Sequence, residues 1–288
     1  MSEPIPLAPL HRRLLGNWRV VLGGGLSLLL VLLALGAPLL APVDPLEQDL
    51  MLELLPPAWL EGGETDRRLG TDSLGRDMLS RLIYGARTAL AVALIAGLLT
   101  ALLGTALGLA AGYLGGLVDS VISRLVDIWT AFPPVLLAII LVALLGTGLH
   151  SVIIAIVVID WTRFCRVVRA ETMQQRRMDY VDSAITIGLG RFAILLREVL
   201  PNVLPLVLVL LTLEMGIAVI VEAILSFVGL SVSSDTPTWG GMIAEGRQVI
   251  YQAWWVVTFP LLLVVATVLG FNLLGDGLRV SLDPRLRQ

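Results

Sequence analysis

Residues 179–202 read DYVDSAITIGLGRFAILLREVLPN, directly after an arginine-rich run, VVRAETMQQRRM at 167–178, and ahead of an apolar run of membrane length. Loops between membrane helices are usually short and polar, whereas this one carries a small-residue helix pattern. Asp179 stands where an N-cap would, with Asp182 three residues on in a weak capping-box arrangement. Val181 to Ile187 then makes about two turns. Ala184 and Gly188 are four apart, so one side of the helix is nearly bare of side chains. Gly188 and Gly190 are placed to end it in the left-handed conformation. A second helix, Phe192 to Leu200, follows and is expected to stop at Pro201. Ser183 and the arginines at 163, 166, 169, 176, 177, 191 and 197 surround the pair with polar and basic groups. Such a helix suits docking into a groove on another protein. An ordinary solvated loop, basic only because it lies on the inner side of a membrane, would have the same composition.

The membrane itself is read from composition. The 288 residues are 57% hydrophobic and 15% charged, with a mean hydropathy of +0.88, where a soluble domain carries about 25% charged residues. Six apolar runs long enough to cross a hydrocarbon core stand at 20–41, 88–112, 118–147, 149–168, 202–228 and 252–276. Backbone groups in lipid must be satisfied internally, so the expected fold is an all-α integral membrane protein with six transmembrane helices. The first run exceeds a signal-peptide core in length, and ALGAPLLAP is a poor cleavage site, so it is read as a retained helix.

All 20 basic residues are arginine. Without lysine there is no Walker-type phosphate loop and no Schiff-base chemistry. Cys165 is the sole cysteine, which excludes an intrachain disulfide and a thiolate metal cluster and reads as a small helix residue. His11 and His150 are too far apart in sequence to suggest a ligand pair. No acid pair or nucleophile motif at catalytic spacing stands out, so no catalytic, cofactor or metal residue is assigned, and nucleic-acid binding has no support.

Arginine placement sets the expected orientation. With the N-terminus inside, the inner segments hold fourteen arginines and the outer ones six. The segments are then a cytoplasmic stretch 1–19, a first helix 20–41, and an extracytoplasmic segment 42–87. A core of five helices follows at 88–276, with the cytoplasmic loop 169–200 inside it, and then a cytoplasmic tail 277–288. The third crossing contains Phe132-Pro133-Pro134 behind Asp119, Arg124 and Asp127, so a surface helix is expected to enter the membrane at a kink. Gly104, Gly108, Gly112 and Gly116 repeat a GxxxG spacing, which marks a close helix contact or, alternatively, a pore lining. Residues 69–86 read as a short amphipathic helix at the interface, capped by Asp72 or Ser73. Glu214 and Glu222 fall inside the fifth crossing, where an ionisable group costs roughly 2.5–3.5 kcal/mol. They are expected to face the bundle or a wet cavity, as pathway residues, a proton relay or a polar lock. Asp160 lies near the inner end of the fourth crossing with Arg163 as an intrahelical partner.

Several stretches together resemble one family. Asp182-Ser183-Ala184, Gly188 and Leu200-Pro201 follow the spacing of the coupling loop of ABC-importer permeases, with Asp for Glu, Ser for Ala and Glu198 where Ile is usual. LGTDSLGRDMLSRLIYGARTAL at 69–90, SFVGLSV, the TWGG around Trp239 and GFNLLGDGLRVSLDPRLRQ at 270–288 resemble the C-type permease of the dipeptide, oligopeptide and nickel branch. The resemblance runs from about residue 69 to the end, with a first helix in the expected place. It implies a bacterial inner-membrane subunit with four kinds of surroundings: a homologous B-type permease, two ABC ATPases or one fused ATPase, an extracytoplasmic solute-binding protein, and the lipid bilayer. ATP and Mg would be bound by the ATPases and by nothing in this chain. It also implies that 179–201 transmits ATPase motion and that the solute is a short peptide, a nickel complex or another small solute. An ion-coupled secondary carrier using Glu214 and Glu222 is the competing class; the absence of an internal repeat weighs against it.

Overall fold

The computed structural model describes residues 14–231 and 236–282 of the chain; the expected inner arginines 12, 13, 285 and 287 and the final DPRLRQ lie outside the described residues. Ten helices are described: α1 Trp18–Leu40, α2 Met78–Leu114, α3 Gly116–Thr130, α4 Pro134–Leu145, α5 Leu149–Gln175, α6 Asp179–Thr186, α7 Arg191–Ile194, α8 Leu200–Phe227, α9 Trp239–Gly246 and α10 Trp255–Leu282. Among the described residues the only extended pairing is a single bridge between Thr71 and Asp77.

Four helical stretches are long and apolar enough to span a bilayer alone: Trp18–Leu40, Met78–Leu114, Arg191–Phe227 and Trp255–Ser281. The expected third crossing is two helices, α3 and α4, meeting at 89°. The break lies at Phe132 and Pro133, and Pro134 opens the next helix, a position where its missing N–H costs nothing. Counting that bent pair as one span gives five, not six. The remaining expected crossing, 149–168, is helical throughout, but α5 mixes its apolar residues with Asp160, Arg163, Arg166 and Arg169.

The glycine stripe is a packing device. A Cβ added at Gly104, Gly108 or Gly112 would stand 2.5, 2.8 and 2.7 Å from the carbonyl oxygens of Trp161, Cys165 and Arg169. No side chain fits there, so α2 and α5 lie backbone to backbone along this seam, the most extensive helix contact in the molecule. Gly116 is not part of it; it lies past the end of α2 with open space around its Cα. Outside the seam, α3 is tied to α5 by Arg169 Nη2 donating to Asp119 Oδ2 at 2.7 Å and by the Trp129 indole donating to the Val158 carbonyl. α4 packs its Ala138 and Val142 against Val152 and Ile156 of α5.

α1 lies on α10, where Asn17 Nδ2 donates to the Gly277 carbonyl at 3.3 Å. The expected interfacial helix at 69–86 does not form as a separate unit. Residues 69–77 are loop, and α2 starts at Met78, ten residues before the expected crossing, so the helix is continuous through 37 residues. Its cap is Asp77, whose carboxylate accepts from the Ser80 N–H at 2.7 Å; Asp72 and Ser73 have no capping part.

Candidate functional site

α6 is built on local hydrogen bonds, though not those expected. Met178 occupies the cap position and offers no side-chain cap bond, so Asp179 is the first helical residue and not the N-cap. The hydroxyls of Ser183 and Thr186 turn back to the carbonyls of Asp179 and Asp182, each at 2.9 Å. The helix closes with paired bonds, Gly188 N–H to the Ile185 carbonyl at 2.9 Å and Leu189 N–H to the Ala184 carbonyl at 3.1 Å. This is a Schellman ending, and it needs the positive φ of +86° found at Gly188. Gly190 does not share that role; its φ is −68°, open to any residue.

The face expected to be bare points two ways. Val181 and Ala184 are buried against Phe164 and Val168 of α5, Ile194 of α7 and Val203 of α8. Gly188 stands in open space beyond the helix end. The exposed surface is instead apolar: Ile185 is 56% exposed, Ile187 77% and Phe192 72%, with Asp182 and Ser183 beside them. Burying one such side chain on a partner is worth roughly 1.5–3 kcal/mol. The spacing of Ala184 and Gly188 gave no hint of these residues, but three large apolar side chains within eight positions of a basic loop was a signal present in the sequence.

Pro201 does not stop the second helix. Arg191 to Phe227 runs as one stretch of 37 residues. Its regular ladder widens at Leu195–Val199 into a π turn, in which the Leu200 N–H reaches back to the Leu195 carbonyl. The wider turn offsets the hydrogen bond and clash that a proline in mid-helix would otherwise cost. Leu200 and Pro201 therefore join the hairpin to α8 as a continuous rod.

The intramembrane acids separate into two groups. Arg163 lies 3.6 Å from Asp160 and 3.2 Å from Glu214, so α5 and α8 are bridged by one half-exposed guanidinium between two carboxylates. Glu214 is fully buried, and its Oε1 has no hydrogen-bond partner among the described residues. Glu222 is equally buried but sits elsewhere, accepting from Ser226 Oγ at 2.5 Å and Ser231 Oγ at 3.2 Å. Neither acid faces lipid, as the cost of a charge there requires.

At the opposite end of α2 from the hairpin lies a cluster that sequence spacing does not reveal. Arg76 Nε donates to Asp72 Oδ2 at 2.8 Å and its Nη2 to Glu245 Oε2 at 2.7 Å; Arg81 reaches the same Glu245 oxygen at 2.8 Å and also Asp72. Asp72, Arg76 and Arg81 are all buried. Two indoles close the cluster, Trp239 donating to the Leu82 carbonyl and Trp255 to the Thr71 carbonyl, each at 3.0 Å. The LGTDSLGRD stretch is thus a clamp between the loop before α2 and α9.

Comparison with known proteins agrees with this architecture. Residues 104–288 match the family model described as binding-protein-dependent transport system inner membrane component, and residues 9–57 match the N-terminal TM domain of oligopeptide transport permease C. The chain is 43% identical to the di/tripeptide transport system permease protein DppC of Pseudomonas aeruginosa, over 99% of this chain and 94% of that one. It is 42% identical to the dipeptide transport system permease protein DppC of Escherichia coli K12, over 100% and 97%. It is 39% identical to the glutathione transport system permease protein GsiD of Pectobacterium atrosepticum, over 99% and 93%. A solved inward-facing structure of the MetNI methionine ABC transporter shares the fold, with a TM-score of 0.59 at 20% identity, over 73% of this chain and 98% of that one. The chain belongs to the family of binding-protein-dependent transport system inner membrane components, the permeases of ABC importers.

Proposed function

We propose that this protein is the C-type permease subunit of an ATP-driven importer of short peptides, and that 179–201 is the lever on which separate ATPases act. The observation that carries the lever is the unbroken rod from Arg191 to Phe227. A push on Ile185, Ile187 and Phe192 is delivered along that rod to Glu214 and Glu222, and through Val181 and Ala184 to α5 with Asp160 and Arg163. Both helices then tilt together, because Arg163 and the shared apolar seat join them. The relatives named for dipeptides, for di- and tripeptides and for glutathione, itself a tripeptide, favour a peptide solute over a nickel complex.

In this reading the hairpin and the 14–19 end face the cytoplasm with the arginine-rich segments. A homologous B-type permease supplies the other half of the passage, two ABC ATPases or one fused ATPase bind ATP and Mg, and a solute-binding protein delivers peptide from outside. Asp179, Asp182, Ser183 and Gly188 shape and edge the docking surface. Gly190 links the two helices, Leu200 and Pro201 transmit, and Glu214, Glu222 and Asp160 lie along the moving helices.

The test is uptake of a labelled dipeptide into proteoliposomes. The complete complex accumulates peptide with ATP and continues when the proton gradient is collapsed; this chain alone accumulates none. Uptake by the chain alone, driven by a pH gradient, would instead make it a secondary carrier.

A further inference from the structure

Two cavities meet at the outer ends of α1, α2 and α10, at the end of α2 away from the hairpin. The smaller one, about 290 Å³, is walled by Leu33 of α1, Leu79 and Leu82 of α2, and Phe259 and Leu262 of α10, with almost no polar atom on its surface. Leu262 is 57% exposed, so the cleft opens on the side of the bundle. The second, about 610 Å³, is polar and lined by Glu64, Asp66, Arg67 and Arg68 together with Leu40 and Leu79. Leu79 lines both, and the wall passes from Arg68 in one to Leu69 in the other, so the two adjoin as the polar and apolar halves of one surface region. Leu33 and Leu40 are seven residues apart on α1, which puts the apolar part about 10 Å along the helix axis from the polar part.

Aromatic residues mark the depth. Trp59 and Trp254 both pack edge-on against Phe259, with centroids at 6.1 and 5.8 Å. Both indoles are partly exposed, as in the aromatic belt at a membrane–water boundary. With those indoles at the boundary, the cleft would stand at acyl-chain depth and the polar cavity at headgroup depth. The polar cavity carries two arginines and two acids, a balance that suits a ligand with both charges and no net charge. Arg67 also holds a buried Nη1 with no hydrogen-bond partner among the described residues, 4.0 Å from Asp77 Oδ1.

We propose that this region binds one zwitterionic phospholipid of the outer leaflet, its acyl chain against Leu79 and Phe259, its phosphate on Arg67 and Arg68 and its ammonium toward Glu64 and Asp66. No residue of the hairpin takes part; only the choice of leaflet rests on the orientation in the proposed function. The test uses the assembled complex, delipidated in mild detergent and titrated with phosphatidylethanolamine or phosphatidylglycerol under native mass spectrometry. One phosphatidylethanolamine is retained. Phosphatidylglycerol, Arg68→Glu and Leu79→Trp each weaken retention by about tenfold, the effect of losing one charge-assisted contact or the chain's seat. Arg68 is exposed, so its replacement leaves folding intact. Equal retention of the two lipids, or unchanged binding in Arg68→Glu, overturns the proposal. Loss of subunit assembly in Leu79→Trp with lipid binding unaltered in Arg68→Glu also overturns it, and gives the cleft to a protein partner.

Discussion

At one end of the bundle the buried Asp72, Arg76 and Arg81 and the partly exposed Glu245 lock the start of α2 to α9 with charge-assisted hydrogen bonds; at the other, α6 sits on α5 and α8 mainly through two small apolar side chains, Val181 and Ala184, with the Tyr180 hydroxyl donating to Gln175 Oε1 at 2.8 Å and accepting from Asn202 Nδ2 at 3.4 Å. The first contact has one good geometry and a large penalty for losing a partner. The second is a largely apolar seat with a single hydroxyl bonded at its edge, and Ile185, Ile187 and Phe192 are left outside it. In the proposed mechanism, that chemistry distinguishes a part that holds its place from a part that receives a push. Hydrophobic contacts tolerate small displacements, while a buried ion cluster does not.

The comparison breaks most readily at the ion cluster. Asp72→Ala leaves Arg76 and Arg81 buried with Glu245 as their one remaining acidic partner among the described residues, and removing one member of a buried charge cluster costs about 3–5 kcal/mol. Thermal unfolding of the purified complex should show a large fall in midpoint. A change no greater than that of a surface substitution would mean the cluster is not the anchor. A smaller effect sharpens the other end. Gly188→Ala forces a side chain to φ +86° and should cost about 1–2 kcal/mol, seen as faster amide exchange over 180–189. Gly190→Ala, at φ −68°, should change exchange little. Equal effects at the two glycines would remove the Schellman ending from the account.

Which of these features the sequence announces follows from their range. The GxxxG stripe is a local spacing and pointed correctly to a close helix contact at Gly104, Gly108 and Gly112. Phe132-Pro133-Pro134 announced the bend between α3 and α4, because a proline's effect is on its own backbone. Pro201 misled for the same reason: its local cost is real, but a π turn four residues earlier absorbs it. Ala184 shows the limit of periodicity, which tells which residues share a face and not where that face points. The partners of Glu245 are 169 and 164 residues away, so only the packed chain brings them together. Glu214 was legible as a costly charge in lipid and Asp160 with Arg163 as a pair within one helix; that Arg163 also reaches Glu214 was not.

The smallest expected effect on stability is also the most telling for function. Ile187→Asp, at a site 77% exposed, should shift the unfolding free energy by no more than about 0.5 kcal/mol. It should nonetheless weaken the hairpin's contact with the ATPases, since it replaces a side chain whose burial is worth roughly 1.5–3 kcal/mol with a charge. The direct measurement is the ratio of peptide transported to ATP hydrolysed by the reconstituted complex carrying Ile187→Asp. The account predicts a normally assembled complex in which that ratio falls by about tenfold or more. An unchanged ratio, with the substituted complex intact, would contradict it.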